Sequence, residues 1–288
     1  MVYVDGWRGR IGLITPSPGS STEAEFNWYR PEGVAVLTTR IPLKGISVEA
    51  LTEMNSYVDE AASLLTGAEV DVIVFACTAG SLVKGPGYDK EVIKRLEERT
   101  GIKVTTTSTG VLEALKALNV KKVAVATPYA EEVNEAEKVF LEGSGFQVVS
   151  IIGPMLSDPK LVPQIPSGEM YRLAREADTN DADGMFISCT GLHVLDIIEM
   201  LERDLGKPVI TSNQVTLWSA LKKLGIHENI EGLGKLFTLL QPSRIAVRRR
   251  PEGKFVNAAS QSPSSHAFNP KAWKEGLHLN DWRVSKIY

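Results

Sequence analysis

Eight short apolar runs, each continuous rather than alternating, recur along the chain with amphipathic stretches between them. They are Ile11–Thr15, Val34–Thr39, Val70–Ala76, Lys103–Thr106, Lys122–Thr127, Val148–Ile152, Gly184–Ser188 and Val209–Thr211. Runs of this length rich in Val and Ile read as strands buried on both faces, the pattern of a parallel sheet. Helical spacing fills most of the gaps: Leu51, Met54, Val58, Ala61 and Leu65 put one apolar face on a predicted helix Val48–Leu65. Similar faces are predicted over Glu91–Thr100, Gly110–Leu118, Ala130–Gly143, Gly168–Ala177, Val194–Leu205 and Val215–Leu224. Strand–helix alternation of this kind implies βαβ units and a doubly wound α/β fold.

The order also repeats. Val70-Asp71-Val72-Ile73-Val74-Phe75-Ala76-Cys77-Thr78 is echoed by Ala182-Asp183-Gly184-Met185-Phe186-Ile187-Ser188-Cys189-Thr190. Downstream, Ala114-Leu115-Lys116-Ala117-Leu118 is echoed by Ala220-Leu221-Lys222-Lys223-Leu224. All βαβ units share some likeness, but the chain has two cysteines and both stand in the same Cys-Thr pair at the same point. An internal duplication accounts for this, giving two similar parallel-sheet domains related by a pseudo-twofold axis. The expected division is residues 1–120 with Cys77, completed by 213–240, then 121–212 with Cys189. Residues 241–288 form a basic extension. That extension holds nine of the 32 Lys/Arg and three of the 35 Asp/Glu from residue 242 onward, hence +6, which leaves -9 for residues 1–241. Its Ala258–Ser265 stretch has a linker-like composition. Trp273, Leu277, Leu279 and Trp282 suggest a segment that packs against a second subunit, so a homo-oligomer is among the expected partners.

Composition narrows the function classes. A formal charge of -3 over 288 residues gives no reason to expect nucleic acid or an anionic membrane as partner. No apolar run approaches membrane-spanning length, and Met1–Arg8 lacks the order of a signal peptide, so the cytoplasm is the expected compartment. Two cysteines and four scattered histidines match no zinc spacing, and no metal site is expected. Nucleotide-loop, dinucleotide and serine-elbow motifs are missing from the sequence, and no cofactor is expected.

The cysteines carry the chemistry. Each follows a buried strand and precedes a predicted helix, where ligands of open parallel sheets bind. Free N–H groups at such a helix start attract a carboxylate and are expected to lower a thiol's pKa towards neutrality. A single strand-end cysteine is most often a small buried hydrophobe; two in duplicated positions point to a cleft. One sulfur can attack carbon or remove a proton while the other supplies a proton to the opposite face. Backbone and hydroxyl donors around Thr78, Ala79, Ser81, Thr190 and Gly191 would stabilise charge on a small carboxylate substrate. Tyr129 and the hydroxyl-rich loop Thr15–Thr22, with Ser17 as its representative, complete the candidate site.

Those motifs, taken in order, resemble the Asp/Glu racemase superfamily, within it the branch of maleate cis-trans isomerases and arylmalonate decarboxylases. The likeness is carried by Ile11–Pro16, Ala76–Ser81, Ala126-Thr127-Pro128-Tyr129 with Val133-Asn134, Ser188–Leu192 and Pro208–Gln214, and covers roughly residues 8–240. It implies two pseudo-symmetric domains with the active site between them, and a cofactor-independent isomerase. By the resemblance, Cys77 is the nucleophile that adds to a double bond and Cys189 handles the proton. The decarboxylases of the branch carry glycine at the first position, so the presence of both cysteines favours isomerase or racemase chemistry. Pro18-Gly19 stands where the maleate isomerases have a carboxylate-binding asparagine, and the spacing from Pro16 to Pro31 is closer to the decarboxylases. An arylmalonate-type decarboxylase, an amino-acid or hydantoin racemase, and a carboxylate-binding protein without activity are the alternatives.

Overall fold

The computed structural model describes residues 5–240. Its eight strands are β1 (Gly9–Pro16), β2 (Val34–Ile41), β3 (Val72–Phe75), β4 (Lys103–Thr106), β5 (Lys122–Ala126), β6 (Gln147–Ile152), β7 (Gly184–Ile187) and β8 (Val209–Thr211). All pairings are parallel and form two sheets of identical layout, β2-β1-β3-β4 and β6-β5-β7-β8. The duplication read from the sequence is therefore a duplication of topology, with β3 and β7 in equivalent places. Every residue of β3 and β7 is buried, which is why these strands carry no polar alternation. The basic extension expected beyond residue 240 lies outside the described residues.

The helices after β4 and β8, Thr107–Ala117 and Ser212–Leu224, pack against each other and join the halves. A Cβ at Gly110 would stand 2.9 Å from the Val215 carbonyl oxygen, so only glycine lets the two backbones approach this closely. Buried hydroxyls then pair across the seam: Thr105 with Ser219 at 2.7 Å and Thr107 with Thr216 at 2.9 Å. Helix Ser212–Leu224 also packs on β3 and β4 of the first sheet.

Two local expectations are corrected. The predicted helix Val48–Leu65 is two helices, Val48–Asn55 and Val58–Thr66. Ser56 caps the first through both its N–H and its hydroxyl, each donating to the Glu53 carbonyl, while Asn55 is drawn inward to Gly80 and Tyr88. The second correction concerns Cys189, which no helix follows directly. The chain turns at Thr190-Gly191, and only a short 3-10 helix, Leu195–Ile197, precedes helix Ile198–Leu205. Cys189 itself has φ 106°, a conformation that strains a residue with a side chain. Among the described residues no helix is long and apolar enough to cross a membrane.

Candidate active site

Both cysteines reach one cavity at the carboxyl ends of β3 and β7. Its lining comprises Thr15, Pro16, Pro18, Gly19, Leu43, Ile46, Leu51, Cys77, Ala79, Tyr129, Pro159, Val162, Cys189, Thr190 and Gly191. The cavity is small, about 40 Å³, as suits a small-molecule occupant. No side chain of the lining carries a permanent charge, so anion binding falls to N–H and hydroxyl groups.

Cys77 caps the five-residue helix Thr78–Leu82, and its sulfur accepts the Gly80 N–H at 3.4 Å. Cys189 Sγ accepts the Gly191 N–H at 3.3 Å. A Cβ at Gly80 would crowd the Cys77 sulfur at 3.0 Å and Met54 at 2.5 Å, whereas at Gly191 it would crowd Val162 at 3.0 Å and meet the Cys189 sulfur at an ordinary 3.4 Å. Tyr129 is buried and its hydroxyl bonds to Cys189. Tyr129 is in turn set by Thr127 and Asn134, which bind its N–H and carbonyl at 3.1 Å each.

The expected drop in thiol pKa is reversed. Burial pushes Cys77 up to about 12 and Cys189 up to about 11, against the lowering by the Gly80 N–H in one case and by Tyr129 and the Gly191 N–H in the other. One or two N–H dipoles offset part of the desolvation of a sulfur enclosed by apolar walls, but not all of it. Both sulfurs rest as thiols.

Of the remaining residues chosen from the sequence, Ala79, Thr190 and Gly191 line the cavity. Thr78 is buried with its hydroxyl donated to Ser212 at 2.8 Å, and Ser17 is exposed, outside the lining. Ser81 points away, to Ser108 at 2.6 Å. Within the same loop, Thr15 is the hydroxyl that lines the cavity; it is 1% exposed and its Oγ1 has no hydrogen-bond partner among the described residues. The strand alternation of Ile11–Thr15 could have placed it, since the cavity lies at the strand's carboxyl end. Ser212 was missed as well. It accepts the Thr78 hydroxyl and the Cys189 N–H (2.9 Å), tying the neighbours of the two sulfurs to one atom.

The first helix, Ser21–Tyr29, clamps the Cys189 turn from the other half. Ser21 and Thr22 donate to the carbonyls of Gly191 and Thr190 at 2.6 and 2.9 Å. Glu25, 2% exposed, accepts the N–H groups of Val194 and Leu195 at 2.8 and 3.1 Å and the Asn213 amide at 2.6 Å. Burial raises its pKa to about 7 against these donors. Among the described residues no three His, Cys, Asp or Glu side chains are grouped to hold a metal ion.

Residues 11–237 match the arylmalonate decarboxylase family. The chain belongs to that family. Its place within the family is the branch shared with maleate isomerases, inside the Asp/Glu racemase superfamily, and this family member is an enzyme. It is 28% identical to a maleate isomerase of Nocardia farcinica over 79% of this chain and 94% of that protein. It is also 28% identical to the arylmalonate decarboxylase of Bordetella bronchiseptica, over 79% and 95% of the two chains. A solved Nocardia farcinica maleate cis-trans isomerase, a cysteine-to-serine variant with a covalently bound succinylcysteine intermediate, superposes with a TM-score of 0.77. That match has 26% identity and covers 80% of this family member and 98% of the solved chain.

Proposed function

We propose that this enzyme isomerises a small unsaturated dicarboxylic acid of the maleate type through covalent addition of Cys77. The observation that carries the reading is the pair of sulfurs, each under a glycine N–H, lining one small cavity. Cys77 enters as a thiolate and its sulfur bonds to one alkene carbon. The π pair moves onto the neighbouring carbon and its carboxylate, and that carbon takes the proton of Cys189. Rotation about the new single bond follows. Cys189 then recovers the proton, the sulfur–carbon bond breaks, and the double bond re-forms in the trans geometry with Cys77 again a thiolate. The Nocardia farcinica protein with succinylcysteine supports such an adduct. Since both thiols are raised by burial, turnover is expected to climb with pH above neutrality as the pair loses its first proton.

One substrate carboxylate is assigned to the Cys77 end of the cavity, beside Ala79 and Thr190. The second is placed against Thr15 and Tyr129. Thr15→Val keeps shape and removes the hydroxyl. It is expected to raise KM about tenfold, worth roughly 1.4 kcal/mol of hydrogen bonding to a charged group, with little change in Tm. Steady-state kinetics reads both parameters, and an unchanged KM removes Thr15 from the site.

The deciding experiment is incubation with maleate and a panel of small acids in heavy water, followed by proton NMR. A trans alkene product is the expected outcome, and no conversion of any unsaturated acid sinks the reading. A second reading, an arylmalonate-type decarboxylase, is favoured by the apolar wall of Leu43, Ile46, Leu51 and Val162, which suits a substrate with a hydrocarbon substituent. Carbon dioxide release from an arylmalonate that survives Cys77→Ala would point there.

A further inference from the structure

Two sulfurs in duplicated positions should behave alike unless something outside the duplication separates them. The residue before each cysteine differs. Ala76 precedes Cys77, whereas Ser188 precedes Cys189 and donates its hydroxyl to Glu137 Oε1 at 2.6 Å. Glu137 is 0% exposed, on the inner face of helix Glu131–Gly143, and its Oε2 has no hydrogen-bond partner among the described residues. The elements packed on its helix, β6 and helix Thr78–Leu82, contain no charged residue, and the acids Glu131, Glu132, Glu135 and Glu142 lie on the exposed faces. The titratable groups it acts on are Cys189 and Tyr129; Cys77 is acted on by Cys189 and the Gly80 N–H, with no carboxyl among its influences.

We propose that Glu137 is a positioning residue that acts on one cysteine of the pair: a carboxyl buried behind Cys189, and held there by Ser188, opposes ionisation of that sulfur and leaves Cys77 untouched. This side of the cavity is too dry for two negative charges, so the group that ionises first denies ionisation to the other. Burial lifts Glu137 to about 8, still below Cys189 at about 11, and the charge therefore settles on the carboxyl. The effect of Glu137 on Cys189 ionisation does not depend on the isomerase reading.

The test follows alkylation of Cys189 by iodoacetamide from pH 7 to 10 in a Cys77→Ala background, with and without Glu137→Gln, site-resolved by mass spectrometry. Glutamine preserves the acceptor for Ser188 and cannot ionise. With Glu137 present the rate is expected to bend downward above about pH 8; with glutamine the bend disappears and Cys189 reacts roughly three- to tenfold faster at pH 9.5, half to one unit of thiol pKa. Should Glu137→Gln not fold, Ser188→Ala removes the one bond that lowers the carboxyl, and the bend moves to higher pH. Superimposable profiles in the variant that folds overturn the proposal. No substrate takes part, so a failed isomerase assay leaves this result intact, and an isomerase with an unbent profile refutes Glu137 alone.

Discussion

Alanine in place of Cys77 or of Cys189 is expected to lower isomerase kcat by about 10⁴-fold or more, with the double variant no worse than either single one. Residues that act as one unit are not additive, because removing either partner already closes the covalent route. The two variants separate on a second measurement. Without Cys189 the thiolate of Cys77 can still add to the alkene, with water giving a proton to the neighbouring carbon, but no base is then placed to take that proton back, so intact mass spectrometry should find substrate bound at Cys77. Without Cys77 no adduct forms. Loss of the fold does not explain such a result: removing one small buried thiol group costs on the order of 1 kcal/mol, which leaves the circular dichroism spectrum and most of the stability in place. Full activity of Cys189→Ala ends the two-cysteine mechanism, whatever the substrate.

The pattern of the chain made the strands legible because burial on both faces leaves a signature that needs no partner to read. All eight runs are strands, and the echo around Cys77 and Cys189 corresponds to β3 and β7 at equivalent places in matching sheets. Cavity residues followed from strand ends, which is how Tyr129, Ala79, Thr190 and Gly191 were reached. What stayed hidden depends on contacts between distant segments. The helix Ser21–Tyr29 buries three polar side chains, Ser21, Thr22 and Glu25, beside a single core aromatic, Phe26, because much of that face grips the Cys189 turn; a search for apolar spacing passes over it. The thiol pKa was misjudged for a similar reason. A cysteine at a helix start advertises its dipole in the sequence, while the desolvation that outweighs it comes from residues as remote as Leu51 and Val162.

Glu25 offers the largest structural effect outside the sulfurs. Glu25→Ala leaves the Val194 and Leu195 N–H groups without their acceptor and takes from the Asn213 amide its shortest bond, in a region closed to water. Each buried donor left unmade costs about 1–3 kcal/mol, so a destabilisation of at least about 3 kcal/mol is expected, or roughly 6–12 °C in Tm for a unit of this size. The same carboxyl sets a pH slope. Its pKa is about 7 in the fold against 4.5 as an ordinary carboxyl, so between those values the native state holds a proton that the unfolded chain has released. Stability from this group is fully present below about pH 4.5 and is lost as pH rises through 7, a span of about 3 kcal/mol at most. Thermal unfolding from pH 5 to 8 should show that decline in the parent and a shallower one in Glu25→Ala, where Glu137 still contributes. The turn that Glu25 holds also carries Cys189, which is already strained at φ 106°. Slackening it lets Cys189 leave the geometry that the covalent step requires, so kcat should fall by tenfold or more while KM changes little. A variant that keeps both the parent's pH slope and its kcat would show that the clamp from the first helix sets neither the stability nor the sulfur.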